Sequence, residues 1–155
     1  MDQLYFDDLE VGQEWVSAER TVSEADIVTF ADLTGDRHPS HLDPEYARTT
    51  PFRRPTAHCL LGLSLAGGLG MAAPPLRVQA LLALREWQFR EPVYIGDTVR
   101  VRQRVAGKEP RASGRRGVVL WATQVLNQDG RVVQEGATVL LVEGRGGRRG
   151  RSPAA

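Results

Sequence analysis

Asp36 and His41 stand five positions apart in the run Gly35-Asp36-Arg37-His38-Pro39-Ser40-His41, with Asp43 just beyond. On an α-helix that separation would turn them roughly 140° from one another, onto different faces. Pro39 removes a backbone donor and restricts His38, so the run is predicted to be a loop rather than continuous helix. A loop can aim both side chains at one point. A carboxylate and an imidazole that meet at one point can hold a water and take its proton. The same residues allow a plainer role, with Asp36 capping the next turn and His41 an ordinary surface histidine.

The elements that would position this run can be read on either side of it. Residues 13–23 read as a first strand. Ser23-Glu24-Ala25-Asp26 has the capping-box pattern, and a short helix through about Leu33 follows. Asp43-Pro44 reads as the N-cap and first position of another short helix, Glu45 to Thr49. Residues 58–73 contain no charged side chain and have no polar stripe, so they predict a buried central helix. Gly62, Gly67, Gly68 and Gly70 cost that helix about 1 kcal/mol each relative to alanine. The cost makes sense if a neighbouring backbone comes very close. Beyond it, residues 77–89 read as a strand and Pro92 to Asp97 as a turn. Val99, Val101 and Val105 then alternate with arginines. Val118–Leu126 and Val132–Val142 pair through the turn Asn127-Gln128-Asp129-Gly130. Long strands after a buried helix describe an α+β domain with an antiparallel sheet.

Composition narrows the class. A chain of 155 residues, 41% of them hydrophobic, is enough for one domain with a real core. No apolar run approaches a membrane span, and the start Met1-Asp2-Gln3-Leu4 does not resemble a secretory leader. Cys59 is the only cysteine, which excludes an internal disulfide and cysteine-rich zinc modules and fits a reducing cytoplasm. The net charge of +1 is uneven: Arg145, Arg148, Arg149 and Arg151 crowd the last residues, and the rest is net acidic. The body therefore offers no broad basic surface for nucleic acid. Residues 1–143 are expected to form the domain, and 144–155 a disordered Arg/Gly-rich tail.

The pattern Phe30-Ala31-x-x-Thr34-Gly35-Asp36-x-His38-Pro39-x-His41-x-Asp43 resembles the hydratase-2 motif of MaoC-like, (R)-specific enoyl-CoA hydratases. The resemblance extends to Thr50-Pro51-Phe52, Ala57-His58 and Pro92-Val93-x-x-Gly96-Asp97, in the family's order. It implies a hot-dog fold, a long central helix wrapped by a curved antiparallel sheet. It implies hydration of an enoyl thioester, or the reverse dehydration, with Asp36 and His41 holding the water. The backbone N–H of Cys59, at the start of the central helix, would face the thioester oxygen, where a donor must meet developing charge. His38, Pro39 and His58 would support the site. His38 stands where the family's pattern has asparagine, and Cys59 where it has glycine. The resemblance further implies no metal or redox cofactor, a substrate carried on coenzyme A or an acyl-carrier phosphopantetheine, and a homodimer or larger assembly.

Rival readings remain. Asp36, His38, His41, Asp43 and His58 could be read as a metal cluster, but no His-x-x-x-His sits on a predicted helix, and no metal is expected. His58 could cap the helix start or hydrogen-bond the Asp36 loop. Cys59 could be a nucleophile, but a small buried hydrophobe is the expected role. Ser64 is expected to pack. Arg53 and Arg54, ahead of Arg85 and Arg90, are candidates for the phosphates of coenzyme A. Trp87 and Phe89 are expected in the core or a dimer interface. A non-catalytic acyl-thioester-binding subunit, with its site altered at His38 and Cys59, is the alternative function. A hot-dog thioesterase is a further one.

Overall fold

A computed structural model describes residues 3–146, so residues 147–155 of the predicted tail lie outside the described residues. Gly144 to Gly146 are placed, and Arg145 donates to the Asp8 carboxylate at 2.7 and 2.8 Å. No helix of the described residues is long and apolar enough to cross a membrane.

The predicted first strand is two short pieces, β1 (Glu14–Val16) and β2 (Arg20–Thr21). Ser17 marks the break: its N–H donates to the Val101 carbonyl (2.8 Å) and its hydroxyl accepts from the Val101 N–H (2.9 Å). α1 (Glu24–Thr34) begins with the predicted capping box, Ser23 Oγ accepting from the Asp26 N–H and Asp26 accepting from the Ser23 N–H. It ends at Gly35, whose φ of +79° turns the chain out of the helix toward Asp36. Two short helices follow, α2 (Pro39–Leu42) and α3 (Pro44–Thr49). Asp43 caps α3 through bonds from the Glu45 and Tyr46 amides, as predicted. The helix α4 (Cys59–Met71) precedes β3 (Val78–Phe89), β4 (Thr98–Arg111), β5 (Arg116–Leu126) and β6 (Val132–Glu143).

All strand pairings are antiparallel, in the order β1-β4-β5-β6-β3, with β2 also on β4. Register shifts in the β3–β6, β4–β5 and β5–β6 pairs bend the sheet, as bulges do. One core joins α1 and α4 to the sheet through Ile27, Leu61, Ala66, Val101, Val125 and Val133. A second gathers Phe6, Leu9, Val105 and Val119 around Trp121. Each fully buried aliphatic side chain contributes about 1.5–3 kcal/mol.

The helix α4 is less enclosed than its sequence predicts. Leu61, Gly62 and Ala66 are buried, but Leu60 is 58% exposed and Met71 42%. The sheet reaches only one flank of the helix, and Leu60 and Met71 on the other flank stay exposed among the described residues. Nor does a neighbouring backbone explain the glycines. A Cβ on Gly62 would overlap the amide of Gln134, and one on Gly70 the amide of Gln103, whereas Gly67 and Gly68 face open space. Gln134 is only 2% exposed, and its Nε2 donates to the Cys59 carbonyl (3.0 Å). Its Oε1 accepts from Trp87 Nε1 (3.2 Å). Two interior bonds thus brace the first turn of α4 against β3 and β6, through the gap that Gly62 leaves.

Gly62→Ala adds helix propensity worth about 1 kcal/mol. It also displaces a buried, doubly bonded amide, which costs about 1–3 kcal/mol for each group left unpaired. Urea unfolding of Gly62→Ala is expected to show a net loss of stability; a gain would contradict the brace.

Candidate active site

The predicted loop is only partly a loop. Asp36 to His38 are irregular, but Pro39–Leu42 makes one helical turn. Pro39 sits at the first helical position, where its missing N–H leaves no bond unmade. His38 Nδ1 takes the role of an N-cap, accepting from the Ser40 N–H (3.2 Å) and lying 2.7 Å from Ser40 Oγ. This explains how a histidine serves where the resembled motif has asparagine, since both present a short-range acceptor. Upstream, Thr34 Oγ1 accepts from the Asp36 N–H (3.3 Å), and Asp36 Oδ1 accepts from the His38 N–H (3.3 Å). These contacts hold the Asp36 carboxyl, whose side chain is 53% exposed, on the open side of the bend.

His41 belongs to α2 and reaches the same place from the other direction. Its Nδ1 lies 2.7 Å from the Thr56 carbonyl oxygen. A carbonyl can only accept, so Nδ1 carries the hydrogen and Nε2 keeps a lone pair in the neutral ring. Thr56 is fixed in turn by donation of its N–H to the Ser40 carbonyl (3.2 Å) and by a bridge to Tyr94. His58, almost wholly buried, stacks on His41 with ring centroids 3.9 Å apart and 30° between planes. Its Nε2 donates to the Asp36 carbonyl (2.9 Å), the loop contact predicted for it, and lies 4.0 Å from Asp36 Oδ2. Phe30 of α1 backs the ring at 5.1 Å.

Asp36, His41 and His58 therefore converge, each offering one ligand-type atom within 4.8 Å of the others. Three such groups are enough to consider a divalent ion. Yet the His58 nitrogen facing Asp36 is spent as a donor to a carbonyl, so it has no lone pair to give. Two acceptors remain, the Asp36 carboxylate and His41 Nε2, which suit the two hydrogens of a water. Burial is the main cause that lowers the His41 pKa below its ordinary 6.5, and nearby His58 adds to it. The bond to Thr56 and the charge of Asp36 pull the other way without cancelling it. The ring is thus held neutral at pH 7, with one nitrogen lone pair unprotonated.

Cys59 is the first residue of α4, and among the described residues its N–H and that of Leu60 have no acceptor. Both donors, at the positive end of a 13-residue helix, point outward beside the histidines. Cys59 keeps an ordinary helical backbone, so the side chain in place of glycine leaves the N–H where it was. The thiol is exposed rather than buried as expected, because the sheet covers the opposite flank of α4. Ser64 is also exposed, its hydroxyl donating to the Leu60 carbonyl at 2.8 Å. The arginines are not drawn into the cluster. Arg53 donates to the Arg48 carbonyl (3.1 Å), and the Arg54 guanidinium lies 3.6 Å over the Tyr94 ring. Arg90 bonds Glu135 at 2.9 Å. Two positions escaped the sequence. Thr56 acts chiefly through its backbone carbonyl, with its hydroxyl 3.5 Å from the same His41 nitrogen, and nothing in its residue type signals this. Gln134 left one, as an uncharged polar residue beside the buried Val133.

In NMR titration the His41 ring is expected to protonate with a midpoint below 6.5, remaining neutral as pH falls through the ordinary histidine range. A midpoint above 6.5 would mean that Asp36 and Thr56 outweigh burial.

With this geometry in view, comparisons with known proteins agree in one direction. Residues 8–125 match the family model described as MaoC like domain. An (R)-specific enoyl-CoA hydratase of Rhodospirillum rubrum is 35% identical over 143 residues, covering 92% of this chain and 94% of that one. The crystal structure of a MaoC-like dehydratase from Rhodospirillum rubrum superposes with a TM-score of 0.82 at 32% identity, over 92% of this chain and 98% of that one. A Mycobacterium tuberculosis protein with a double hot-dog fold matches 99% of this chain and 47% of its own length, with a TM-score of 0.82 at 25% identity. Helix, curved antiparallel sheet, motif and relatives together place this chain in the MaoC-like domain family, with a hot-dog fold.

Proposed function

We propose that the chain is a hydro-lyase that adds water to trans-2-enoyl thioesters to give (R)-3-hydroxyacyl thioesters, and catalyses the reverse dehydration. The observation that carries this reading is the convergence of the Asp36 carboxylate with the neutral His41 ring, whose Nδ1 is tied to Thr56, beside the unpaired amides that open α4. The hydratase and dehydratase names of its relatives support the reaction class and the configuration.

The chemistry follows from the positions. A water donating one hydrogen to Asp36 and the other to His41 directs its oxygen lone pair at C3 of the enoyl group. As the C3–O bond forms, one water proton passes to the pair, and the C2–C3 electrons move toward the thioester oxygen. The Cys59 N–H stabilises that charge. The pair then returns the proton to C2, so the enzyme ends as it began and one water has been added. The reaction is redox-neutral and both proton transfers belong to side chains, so this reading calls for no resident cofactor. The thioester arrives on coenzyme A or an acyl-carrier phosphopantetheine, with Arg53 and Arg54 proposed near its phosphates.

The chain acts as a homodimer or larger assembly in this reading. β3 ends the sheet order, and Leu81, Leu82, Leu84 and Phe89 along it are exposed, as are Leu60 and Met71 of α4. An open apolar edge of this kind invites pairing with a second copy. Light scattering on the purified chain is expected to give at least a dimer, and a monomer at micromolar concentration would count against it.

Loss of the enone absorbance of crotonyl-CoA and longer enoyl-CoAs tests the reaction. Asp36→Asn and His41→Ala are each expected to lower turnover by at least about 100-fold, the scale of general acid–base groups. Cys59→Gly should keep or raise activity, because it preserves the N–H. Binding without turnover would favour the non-catalytic alternative, and release of free thiol a thioesterase.

A further inference from the structure

Past the amides that open α4, the next turns of the same helix line a cavity of about 280 Å³ between helix and sheet. Its exposed rim includes Met71, Leu81 and Leu84, and its buried floor Gln103 and Thr123. The walls are mostly apolar, and no charged side chain lines it. At about 1.5 Å per residue, Gly70 lies roughly 16 Å along the axis from Cys59. That span is within reach of an acyl chain carried on a thioester held at Cys59.

Gln103 is out of place in such a space. It is only 6% exposed, and among the described residues its amide has no hydrogen-bond partner. Its Nε2 presses against Gly70, where any Cβ would overlap it. The other polar groups nearby are occupied. Thr123 Oγ1 lies 3.4 Å from Thr138 Oγ1 and 3.5 Å from the Trp121 carbonyl. Ser64 donates within its own helix. The contrast with Gln134 is direct, since that buried amide uses both ends on Cys59 and Trp87. Among the described residues the sealed, unpaired side-chain atoms are His58 Nδ1, Arg100 Nε and Trp121 Nε1, not the Gln103 amide, which instead faces the cavity with its bonding capacity open to an occupant.

We propose, resting on the hydro-lyase reading above, that Gln103 is a specificity residue for acyl chains carrying an uncharged hydrogen-bonding group, a hydroxyl or carbonyl, near their far end. The amide both donates and accepts, so it suits either. A carboxylate is disfavoured, because nothing in the lining balances its charge.

Binding of saturated acyl-CoAs by calorimetry tests this without requiring turnover. The probes are octanoyl-CoA against 8-hydroxyoctanoyl-CoA, and decanoyl-CoA against 10-hydroxydecanoyl-CoA. For at least one pair the wild type should bind the hydroxylated chain as tightly as the plain chain, or tighter. Gln103→Met, which keeps the bulk, should shift that ratio at least about tenfold toward the plain chain; Gln103→Leu is the second variant should the first fail to fold. An unchanged ratio in a folded variant overturns the inference and means that the amide holds only water. If no acyl-CoA binds the wild type, the hydro-lyase reading falls, and this inference with it.

Discussion

The bond from His41 Nδ1 to the Thr56 carbonyl decides what the rest of the site can do. It fixes the tautomer, and with it the side of the ring that carries a lone pair. Turned the other way, the ring would present a hydrogen toward Asp36, and the two groups could hold each other but not a water between them. The acceptor is a backbone atom tied to Ser40 and Tyr94, so neither rotation of a side chain nor a change of its protonation can release it. Burial of the ring beneath His58 then keeps it unprotonated. Geometry and electrostatics therefore act in the same direction.

Around that bond the fold has two tasks. It brings the bend at Asp36 and the turn at His41 to the start of one helix, and it stops that helix from drifting. The left-handed Gly35 and the Thr34 hydroxyl direct the chain from α1 into the bend. The Trp87–Gln134–Cys59 chain of hydrogen bonds ties the first turn of α4 to the sheet. Glycine at position 62 makes room for that tie. Rigid donors at the helix start are useful to an oxyanion only if they stay put, because electrostatic stabilisation depends on dipoles already oriented before charge develops.

Much of this was legible in the sequence because it rests on local rules. The capping box at Ser23, the Asp43-Pro44 helix start, the Asn127–Gly130 turn and the valine alternation of β4 all follow from neighbouring residues. What escaped depends on distant partners. Pro39 predicts a break in regular structure, yet it opens a turn, because the imidazole of His38 supplies the cap. An uncharged helix predicts burial, yet half of α4 lies open in one chain, because sequence pattern does not say which chain covers a face. The glycines of α4 signalled close approach, but the approaching groups at positions 62 and 70 are glutamine amides from strands far away in sequence. The convergence of Asp36 and His41 could be suspected from the bend, whereas the Thr56 carbonyl that orients the histidine has no side-chain signature at all.

If one water is shared by Asp36 and His41, both the hydroxyl and the returned proton reach the substrate from one side of its plane. Hydration of crotonyl-CoA in D₂O, followed by stereochemical analysis of the product, reads this directly. The expected product is the (3R) alcohol with a single deuterium at C2 on the same face as the new hydroxyl. Deuterium on the opposite face, or a mixture of both, would require a second proton source across the substrate and would contradict the shared water.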